Sequence, residues 1–280
     1  MKNKISFIVF THNEENRVEM MLRCLYGHGE IILVDNFSND KTIFIAKKYT
    51  KKIYRNKNIG WVENEKTIKF AEKIASNNWI YLAYVDEIIP NKLLNKLKDI
   101  VIKNNYDAVE IYRKNFMFGR EVFNYGKHHL RMFKKDSVDF KNNIVHKFGR
   151  YRENIKVLKI KNEKYLSLWH FSEYNCNNLE LTHNRYANIE ANQRHLILRQ
   201  KFSGFRAIFK LFFFFFGTYI AMGGFKGGWP GFFISVKIAY YKFSIEARLW
   251  EIENNITIDS MIKKYNKIKL DLIGEKHYKK

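Results

Sequence analysis

Cysteine and proline are almost absent from this sequence. Two cysteines, Cys24 and Cys176, are too few for a disulfide framework, which favours a reducing compartment. Two prolines, Pro90 and Pro230, leave no proline-rich linker between domains. The first apolar run, Ile5–Phe10, is too short for the apolar region of a secretory signal. We therefore expect a cytosolic protein.

Acidic residues are scarce relative to basic ones, and the imbalance is uneven along the chain. There are 50 Lys and Arg against 28 Asp and Glu, which gives a formal net charge of +22. Residues 1–100 carry 17 basic and 12 acidic side chains, whereas residues 101–280 carry 33 and 16. Such an excess favours an anionic partner: nucleic acid, an anionic membrane surface or a phosphorylated ligand. A bias towards AT-rich codons would also enrich lysine, so charge alone does not decide.

An uninterrupted apolar run long enough to span a bilayer is also missing. Leu211–Phe225 has about 15 residues, whereas a spanning helix needs roughly 20. A second run, Trp229–Phe243, is broken by Lys237 and Lys242. Aromatic side chains, glycines and flanking basic residues favour a position at the membrane interface, on the inner face of the cell membrane. The alternative is a helical hairpin that packs on the rest of the protein.

The first ninety residues alternate between short apolar runs and helical patterns. We expect strands at Ile5–Phe10, Glu30–Val34, Lys52–Tyr54 and Trp79–Tyr84, and helices at Glu14–Tyr26, Asp40–Tyr49 and Val62–Ala75. Strand and helix in strict turn predict an α/β fold with a mostly parallel sheet. The expected organisation is a main domain over residues 1–200, membrane-associating helices over 201–250 and a basic tail over 251–280.

Polar residues follow three of the predicted strands. Thr11 to Glu14 follow the first strand, Asp35 to Asp40 the second, and Asp86 with Glu87 the fourth. Because ligands bind beyond the carboxyl ends of parallel strands, we expect these residues to share one site. Capping of the helices that follow is the alternative for each loop, and it is compatible with ligand binding.

Six segments, in this order along the chain, resemble glycosyltransferase family 2, and within it the branch of lipopolysaccharide-core glucosyltransferases. They are SFIVFTHNEEN, EIILVDNFSNDKT, NWIYLAYVDE, HLRMF (129–133), IVHKF (144–148) and LWHFS (168–172), and GGWPGFFISVKIAYYKFSIEARLWE follows them. The resemblance implies a GT-A fold and inverting transfer from a nucleotide-sugar donor, usually a UDP-sugar. It also implies an acceptor such as a lipooligosaccharide or another cell-envelope glycan or glycolipid.

The resemblance further implies a divalent metal, Mg²⁺ or Mn²⁺, and a set of donor-binding residues. Asp86 matches the last acid of the family's Asp-x-Asp signature and is expected to hold the metal against the donor diphosphate. His170 is expected to complete the metal shell, although a packed structural histidine is the alternative. The donor-binding residues are expected to be Thr11, Asn13, Glu14, Asp35, Ser38, Asp86 and Arg131. A surface ion pair is the alternative for Arg131.

The sequence departs from the family pattern at three places. Tyr84 stands where the family has the first Asp of its signature, and Glu63-Asn64-Glu65 stands where it usually has Gln-basic-Asn. Lys147 follows His146, where the family usually has a glutamate suited to general-base catalysis. The general base is therefore open. The candidates are Glu87, His146, Asp139 and Glu153, of which Glu87 and His146 rank first because both lie in matched motifs.

Two other functions compete with sugar transfer. The lost metal ligand and base would suit a family member that binds nucleotide-sugar or glycan without turnover. The positive charge and the aromatic residues Phe116, Phe118 and Tyr125 would suit a nucleic-acid-binding protein. The sequence contains no recognised nucleic-acid-binding motif, so we expect no nucleic acid partner.

Overall fold

The computed structural model describes residues 4–58, 63–122 and 126–273. Its first part alternates strand and helix, as predicted. The elements are β1 (Ile5–Thr11), α1 (Val18–Leu25), β2 (Glu30–Asp35), α2 (Thr42–Ala46), β3 (Ile53–Arg55), α3 (Glu65–Ile74) and β4 (Trp79–Tyr84). Asp40–Tyr49 and the other helical patterns therefore mark real helices, although their ends differ.

Two helices are shorter than predicted. α1 begins at Val18 instead of Glu14, because the backbone amides of Arg17 and Val18 both donate to the Glu14 carbonyl oxygen, at 2.9 Å each, and form a turn. α2 covers only Thr42–Ala46. The predicted start of the third helix at Val62 lies outside the described residues, as does Tyr125.

The central strands are buried on both faces, which explains their nearly continuous apolar sequences. In β1, Phe7 and Val9 pack with Met21 of α1, whereas Ile8 packs with Ile68 of α3 on the other face. Successive side chains of a strand point to opposite faces, so one strand serves two apolar layers. This packing fixes the register of β1 and therefore the positions of the loops at its end.

The second part of the sheet is mixed. The elements that follow β4 in the chain are β5 (Glu87–Ile88), α4 (Asn91–Lys103), β6 (Ala108–Met117), β7 (Arg120–Glu121), β8 (Lys127–Lys134), β9 (Val138–Asp139), β10 (Arg150–Tyr151), β11 (Val157–Lys159) and β12 (Leu168–Glu173). Of these, β9 and β10 pair with each other in a separate two-stranded sheet. The main path of the sheet runs β3-β2-β1-β4-β8-β6-β12-β5. β8 is antiparallel to both β4 and β6. The predicted parallel arrangement is thus confirmed for β1 to β4, while the strands beyond β4 pair in both directions.

The C-terminal part is helical. It contains α5 (Cys176–Leu196), α6 (Gly204–Phe216), a π-helical turn (Gly217–Ala221), a 3₁₀ turn (Gly224–Gly227), α7 (Gly228–Glu253) and α8 (Ile258–Leu272). α6 and α7 form a hairpin whose turn is close-packed, since a Cβ on Gly231 would lie 1.9 Å from the Gly224 carbonyl oxygen. The predicted boundary at residue 250 falls within α7.

The hairpin packs on the main domain through α7. Ala187 and Ala191 of α5 form an apolar cluster with Tyr241, Ile245 and Leu249 of α7. The hairpin alternative is thus confirmed for α7. The outer side of α6 remains exposed, and the segment Gly204–Ala221 is long and apolar enough to cross a membrane by length and composition.

Candidate active site

A cleft of about 500 Å³ opens at the carboxyl ends of β1, β2 and β4. Four of the predicted donor-binding residues line it: Thr11, Asn13, Glu14 and Asp86. The opposite wall includes Arg185 and Tyr186 of α5, which the sequence interpretation did not identify. The loops that follow three different strands therefore meet in one cleft, as their sequence positions predicted.

Asp35 and Ser38 support one wall of the cleft from behind. Asp35 is fully buried, and its carboxylate accepts hydrogen bonds from the Thr11 hydroxyl at 3.2 Å and the Ser38 amide at 2.9 Å. The Ser38 hydroxyl oxygen in turn accepts from the Asn13 amide at 2.8 Å. Asn13 has a φ of 53°, in the left-handed region that asparagine tolerates better than most residues. Asp35 thus positions Thr11 and Asn13, and its contact with a nucleoside stays a prediction.

Glu14 and Arg17 form an ion pair just before the start of α1. The Arg17 guanidinium donates to both carboxylate oxygens of Glu14, at 2.7 and 2.8 Å. Burial raises the pKa of Glu14, and Arg17 offsets part of that rise. Arg17 also lines the cleft and lies close enough to Asp86 to lower the pKa of that carboxyl. The sequence interpretation missed Arg17, although its spacing of three residues from Glu14 allows this pairing.

Asp86, which lines the cleft, lies against His170 of β12, and their role as metal ligands stays a prediction. The His170 Nε2 atom lies 3.2 Å from Asp86 Oδ2, and Nδ1 lies 2.9 Å from Asn115 Oδ1. Burial would raise the pKa of Asp86, but His170, Arg17 and Arg113 together hold it well below its usual range. Asp86 is therefore a carboxylate at neutral pH.

These two side chains fit a divalent metal as a partial ligand set. Asn115 Oδ1 is a hydrogen-bond acceptor, so the Nδ1 atom of His170 donates to it. The Nε2 atom then either donates to Asp86 or offers its lone pair to a metal. Among residues 4–58, 63–122 and 126–273, no group of three or more His, Cys, Asp or Glu side chains could hold a metal ion. A metal at this site would therefore need oxygen ligands from the substrate or water.

Glu173 is a further carboxylate beside this pair. A β-bulge between Phe171 and Glu173 shifts the register of β12 against β6, which turns Glu173 to the same face as His170. Burial, followed by the nearby charge of Asp86, raises the pKa of Glu173 to about 7. Its Oε2 atom has no hydrogen-bond partner within the described part of the chain. Strict alternation along LWHFSE predicts the opposite face, so this position could not be predicted from the sequence pattern.

Glu87 and Arg131 lie in the core, and neither is among the residues that line the cleft. Their side chains are each 1% exposed, and Arg131 Nη2 donates to Glu87 Oε1 at 2.5 Å. The Arg131 guanidinium also lies 4.7 Å from the centroid of the Tyr84 ring. Both residues were expected to face substrate. The structure instead shows Glu87 in β5, paired with β12, where its carboxylate neutralises the buried arginine.

The remaining base candidates lie outside the cleft. His146 Nε2 is 3.0 Å from the Tyr241 hydroxyl, and its ring centroid is 5.1 Å from that of Tyr186, so it contacts the cleft wall from outside. Asp139 accepts from the Lys141 amide at 2.8 Å, and Glu153 is exposed. Of the candidates, His146 lies against a residue that lines the cleft.

The comparison with known families decides the class of protein. Residues 6–165 match the sequence profile of Glycosyl transferase family 2. The chain belongs to this family. It is a glycosyltransferase with the GT-A fold, in which a curled mixed sheet is flanked by helices.

Proteins named as glycosyltransferases match this chain over most of their length. An uncharacterised glycosyltransferase of Rickettsia typhi is 25% identical over 263 residues, which cover 89% of this chain and 87% of the relative. One of Rickettsia bellii is 26% identical over 268 residues, which cover 90% and 88%. Among solved structures, TarS 1-349 of S. aureus with UDP-GlcNAc matches at 15% identity and a TM-score of 0.44, covering 90% of this chain and 92% of TarS. The mannosyltransferase PcManGT of Pyrobaculum calidifontis matches at 11% identity and 0.46, covering 96% and 80%.

Proposed function

We propose that this glycosyltransferase moves a sugar, with inversion, from a nucleotide-sugar donor, most simply a UDP-sugar, to a lipooligosaccharide or another cell-envelope glycan or glycolipid. The observation that carries the proposal is the approach of Asp86 and His170 to 3.2 Å beside a cleft at the strand ends. Arg17 adds a cation on the same side of the cleft, which suits the negative charge of a diphosphate.

In this proposal Asp86 and His170 would hold Mg²⁺ or Mn²⁺, with the remaining ligands supplied from outside the protein. When bound, the metal would supply Lewis-acid stabilisation of the negative charge on the leaving diphosphate. Asn115 orients His170 through Nδ1, and Arg17 neutralises part of the phosphate charge. Thr11 and Asn13, held by Asp35 and Ser38, shape the nucleoside side of the cleft.

The test is an assay of hydrolysis and transfer over UDP-, GDP- and CDP-sugars, with Mn²⁺ and with EDTA. Metal-dependent release of one nucleoside diphosphate would support the proposal and name the donor. Binding of a nucleotide-sugar without release or transfer would favour the alternative of a member without turnover. That alternative has one observation in its favour: Glu87, a leading base candidate, is bound to Arg131 in the core.

We also propose that the outer side of α6 binds the surface of an anionic membrane. Phe205, Phe209 and Phe213 are 82%, 52% and 56% exposed, and their rings stack along the helix at 6.3 and 5.3 Å between centroids. Exposed aromatic patches of this kind are typical of membrane or protein contacts. The charge excess of the chain adds attraction to anionic lipid, worth about 1 kcal/mol for each basic residue near the surface.

The charges at the start of α6 favour insertion into one leaflet over spanning. Arg206 and Lys210 both bind Glu246 of α7, which is fully buried, at 2.7 Å each. These contacts hold the first turns of α6 on the protein. Only residues 211–221 are then free to cross the hydrocarbon core lengthwise, and at 1.5 Å per residue they reach about 16 Å, roughly half of its thickness. Phe205 and Phe209 contact lipid from the exposed side of the helix, at the level of the headgroups.

Flotation with anionic liposomes tests this surface. We expect the double variant Phe209→Ser and Phe213→Ser to lose most membrane binding at about 150 mM salt. At this salt concentration the Debye length is about 8 Å, so electrostatic attraction to the lipid is partly screened. Phe44→Ser, which changes a phenylalanine that is 68% exposed on α2, is the matched control and should float like the wild type. If the double variant floats as well as the wild type, the aromatic face of α6 is not the membrane contact.

A further inference from the structure

Tyr84 and Glu63 form a polar pair on the wall of the cleft. Tyr84 ends β4, and its hydroxyl donates a short hydrogen bond to Glu63 Oε1. Both residues line the cleft. The position at which the family has an acid is thus occupied by a phenol, and a carboxylate from another element is bonded directly to that phenol.

Hydrogen bonds hold the carbonyl group of Glu63 and the side chain of the residue that follows it. The Glu63 carbonyl oxygen accepts from Asn143 Nδ2 at 2.7 Å. The next residue, Asn64, caps α3 by accepting from the Thr67 amide at 2.9 Å. The Tyr84 ring is equally constrained, because it stacks on Phe10 at 6.2 Å between centroids and on the Arg131 guanidinium. The carboxylate is therefore held in place before any ligand binds.

The acceptor capacity of this carboxylate exceeds what Tyr84 uses. A carboxylate has about four lone-pair sites, and the Tyr84 hydroxyl and the backbone amide of Glu63 itself occupy two of them. Tyr186, on the facing wall, has its pKa raised by burial and by the charges of both Glu63 and Asp86, so its ring lies within reach of the two carboxylates. Glu63 and the candidate metal ligand thus border the same part of the cleft.

We propose that Glu63 supplies the carboxylate that position 84 has lost, and that it accepts hydrogen bonds from a pair of neighbouring hydroxyls on the donor. This inference rests on the proposed function, because it assigns a role within the donor site. Two parts of a nucleotide-sugar carry neighbouring hydroxyls: the ribose and the transferred sugar. Carboxylates bind such diols through charge-assisted hydrogen bonds, which are stronger than neutral ones.

The experiment moves the carboxylate from position 63 to position 84. Affinities for UDP, GDP and UDP-glucose in the presence of Mn²⁺ are measured by calorimetry for the wild type, Glu63→Gln, Tyr84→Asp and the double variant. Glutamine still accepts the Tyr84 hydrogen bond, so Glu63→Gln preserves the shape of the wall and removes only the charge. We expect Glu63→Gln to weaken binding of the preferred ligand about 10-fold or more, the effect of a lost hydrogen bond to a charged group.

The double variant carries the carboxylate at position 84 and the amide at position 63. We expect it to bind several-fold more tightly than Glu63→Gln, which a purely structural role for Glu63 does not produce. Glu65→Gln is the matched control, since Glu65 pairs with Lys69 on the exposed side of α3 and should leave affinity unchanged.

The ligands distinguish the two sources of hydroxyls. If the ribose is the partner, Glu63→Gln weakens UDP and UDP-glucose equally, and 2′-deoxy-UDP binds the wild type and the variant alike. If the transferred sugar is the partner, only UDP-glucose or the matching nucleotide-sugar is affected. Wild-type affinities for all ligands in Glu63→Gln would overturn the inference while leaving the proposed function intact. A wild type that binds no nucleoside diphosphate would overturn both.

Discussion

The glutamate side chains at the two edges of the sheet have pKa values that are shifted in opposite directions. At the amino edge, Glu30 accepts hydrogen bonds from Lys52, Ser6 and Ser76, and from Asn77 at 3.3 Å. Burial would raise its pKa, but these partners lower it to about 2. At the carboxyl edge, burial raises the pKa of Glu14, Glu63 and Glu173, whereas His170 holds the pKa of Asp86 below its usual range.

The difference separates a structural cluster from a binding site. A buried carboxylate that receives several hydrogen bonds from its own chain favours the folded state. A carboxylate that is buried with fewer hydrogen-bond donors lowers the stability of the folded state, unless a ligand or a metal supplies the missing partners. Glu173, with one oxygen unpaired in the described chain, lies at the edge that carries Asp86 and His170. The sheet therefore has a well-paired glutamate at one end and, at the end with the candidate site, a glutamate with an unpaired oxygen.

The largest effect is expected from Asp86→Ala, which removes the central carboxylate of the carboxyl edge. Metal-dependent donor binding should weaken about 100-fold or more, which corresponds to about 2.7 kcal/mol. The fold should remain, because the Asp86 side chain is 27% exposed and its hydrogen bond goes to His170, another residue of the candidate site. Calorimetry with UDP-sugar and Mn²⁺ measures the loss, circular dichroism checks the fold, and Asp99→Ala on the exposed side of α4 is the control. Unchanged affinity would contradict the assignment of Asp86.

The loops of the carboxyl edge could be predicted from sequence because their signals are local. Apolar runs identify β1, β2 and β4, and polar residues directly after them must lie at the same edge of a parallel sheet. Asp86 and His170 required the resemblance as well, since 84 residues separate them. Their approach depends on β12 reaching the sheet through β6, and a local pattern does not contain that pairing.

The differences between the expected and the observed positions of side chains have the same origin. Glu87 and Arg131 were expected to contact substrate because they lie in matched motifs. The pairing of neighbouring strands, however, decides which face of the sheet a side chain points to. β5 pairs with β12 and turns Glu87 into the core, where Arg131 meets it. Glu173 was missed because one extra residue in a bulge reverses the face of every later side chain. Pairing and bulges are properties of the assembled sheet, so periodicity along one strand does not show them.

A second prediction concerns the unsatisfied carboxylate of the carboxyl edge. The folded-state pKa of Glu173, about 7, lies above the ordinary value of 4.5, so folding favours its protonated form. The wild type should therefore lose stability as the pH rises from 4.5 to about 7. Glu173→Gln removes this loss and should be more stable at pH 8 by about 2 kcal/mol, with little change at pH 4.

Urea denaturation in EDTA at the two pH values measures this difference, because a bound metal would itself favour the ionised carboxylate. Glu153→Gln, at an exposed position, is the control and should behave like the wild type at both values. If Glu173→Gln and the wild type show the same dependence of unfolding free energy on pH, then Glu173 is not held protonated by its surroundings.

The smallest effect is expected at the amino edge, from Glu30→Gln. The folded-state pKa of Glu30, about 2, lies below 4.5, so its contribution is fully present above pH 4.5 and is lost as the pH falls through about 2. The variant should be less stable than the wild type at pH 7, by about 1 kcal/mol, because Lys52 is partly exposed and solvent screens the pair. The two proteins should converge near pH 2. Denaturation curves between pH 7 and pH 2 test both statements, with Glu19→Gln on α1 as a control. The sign opposes that of Glu173→Gln, so a stabilising effect of Glu30→Gln at pH 7 would remove the contrast between the two edges.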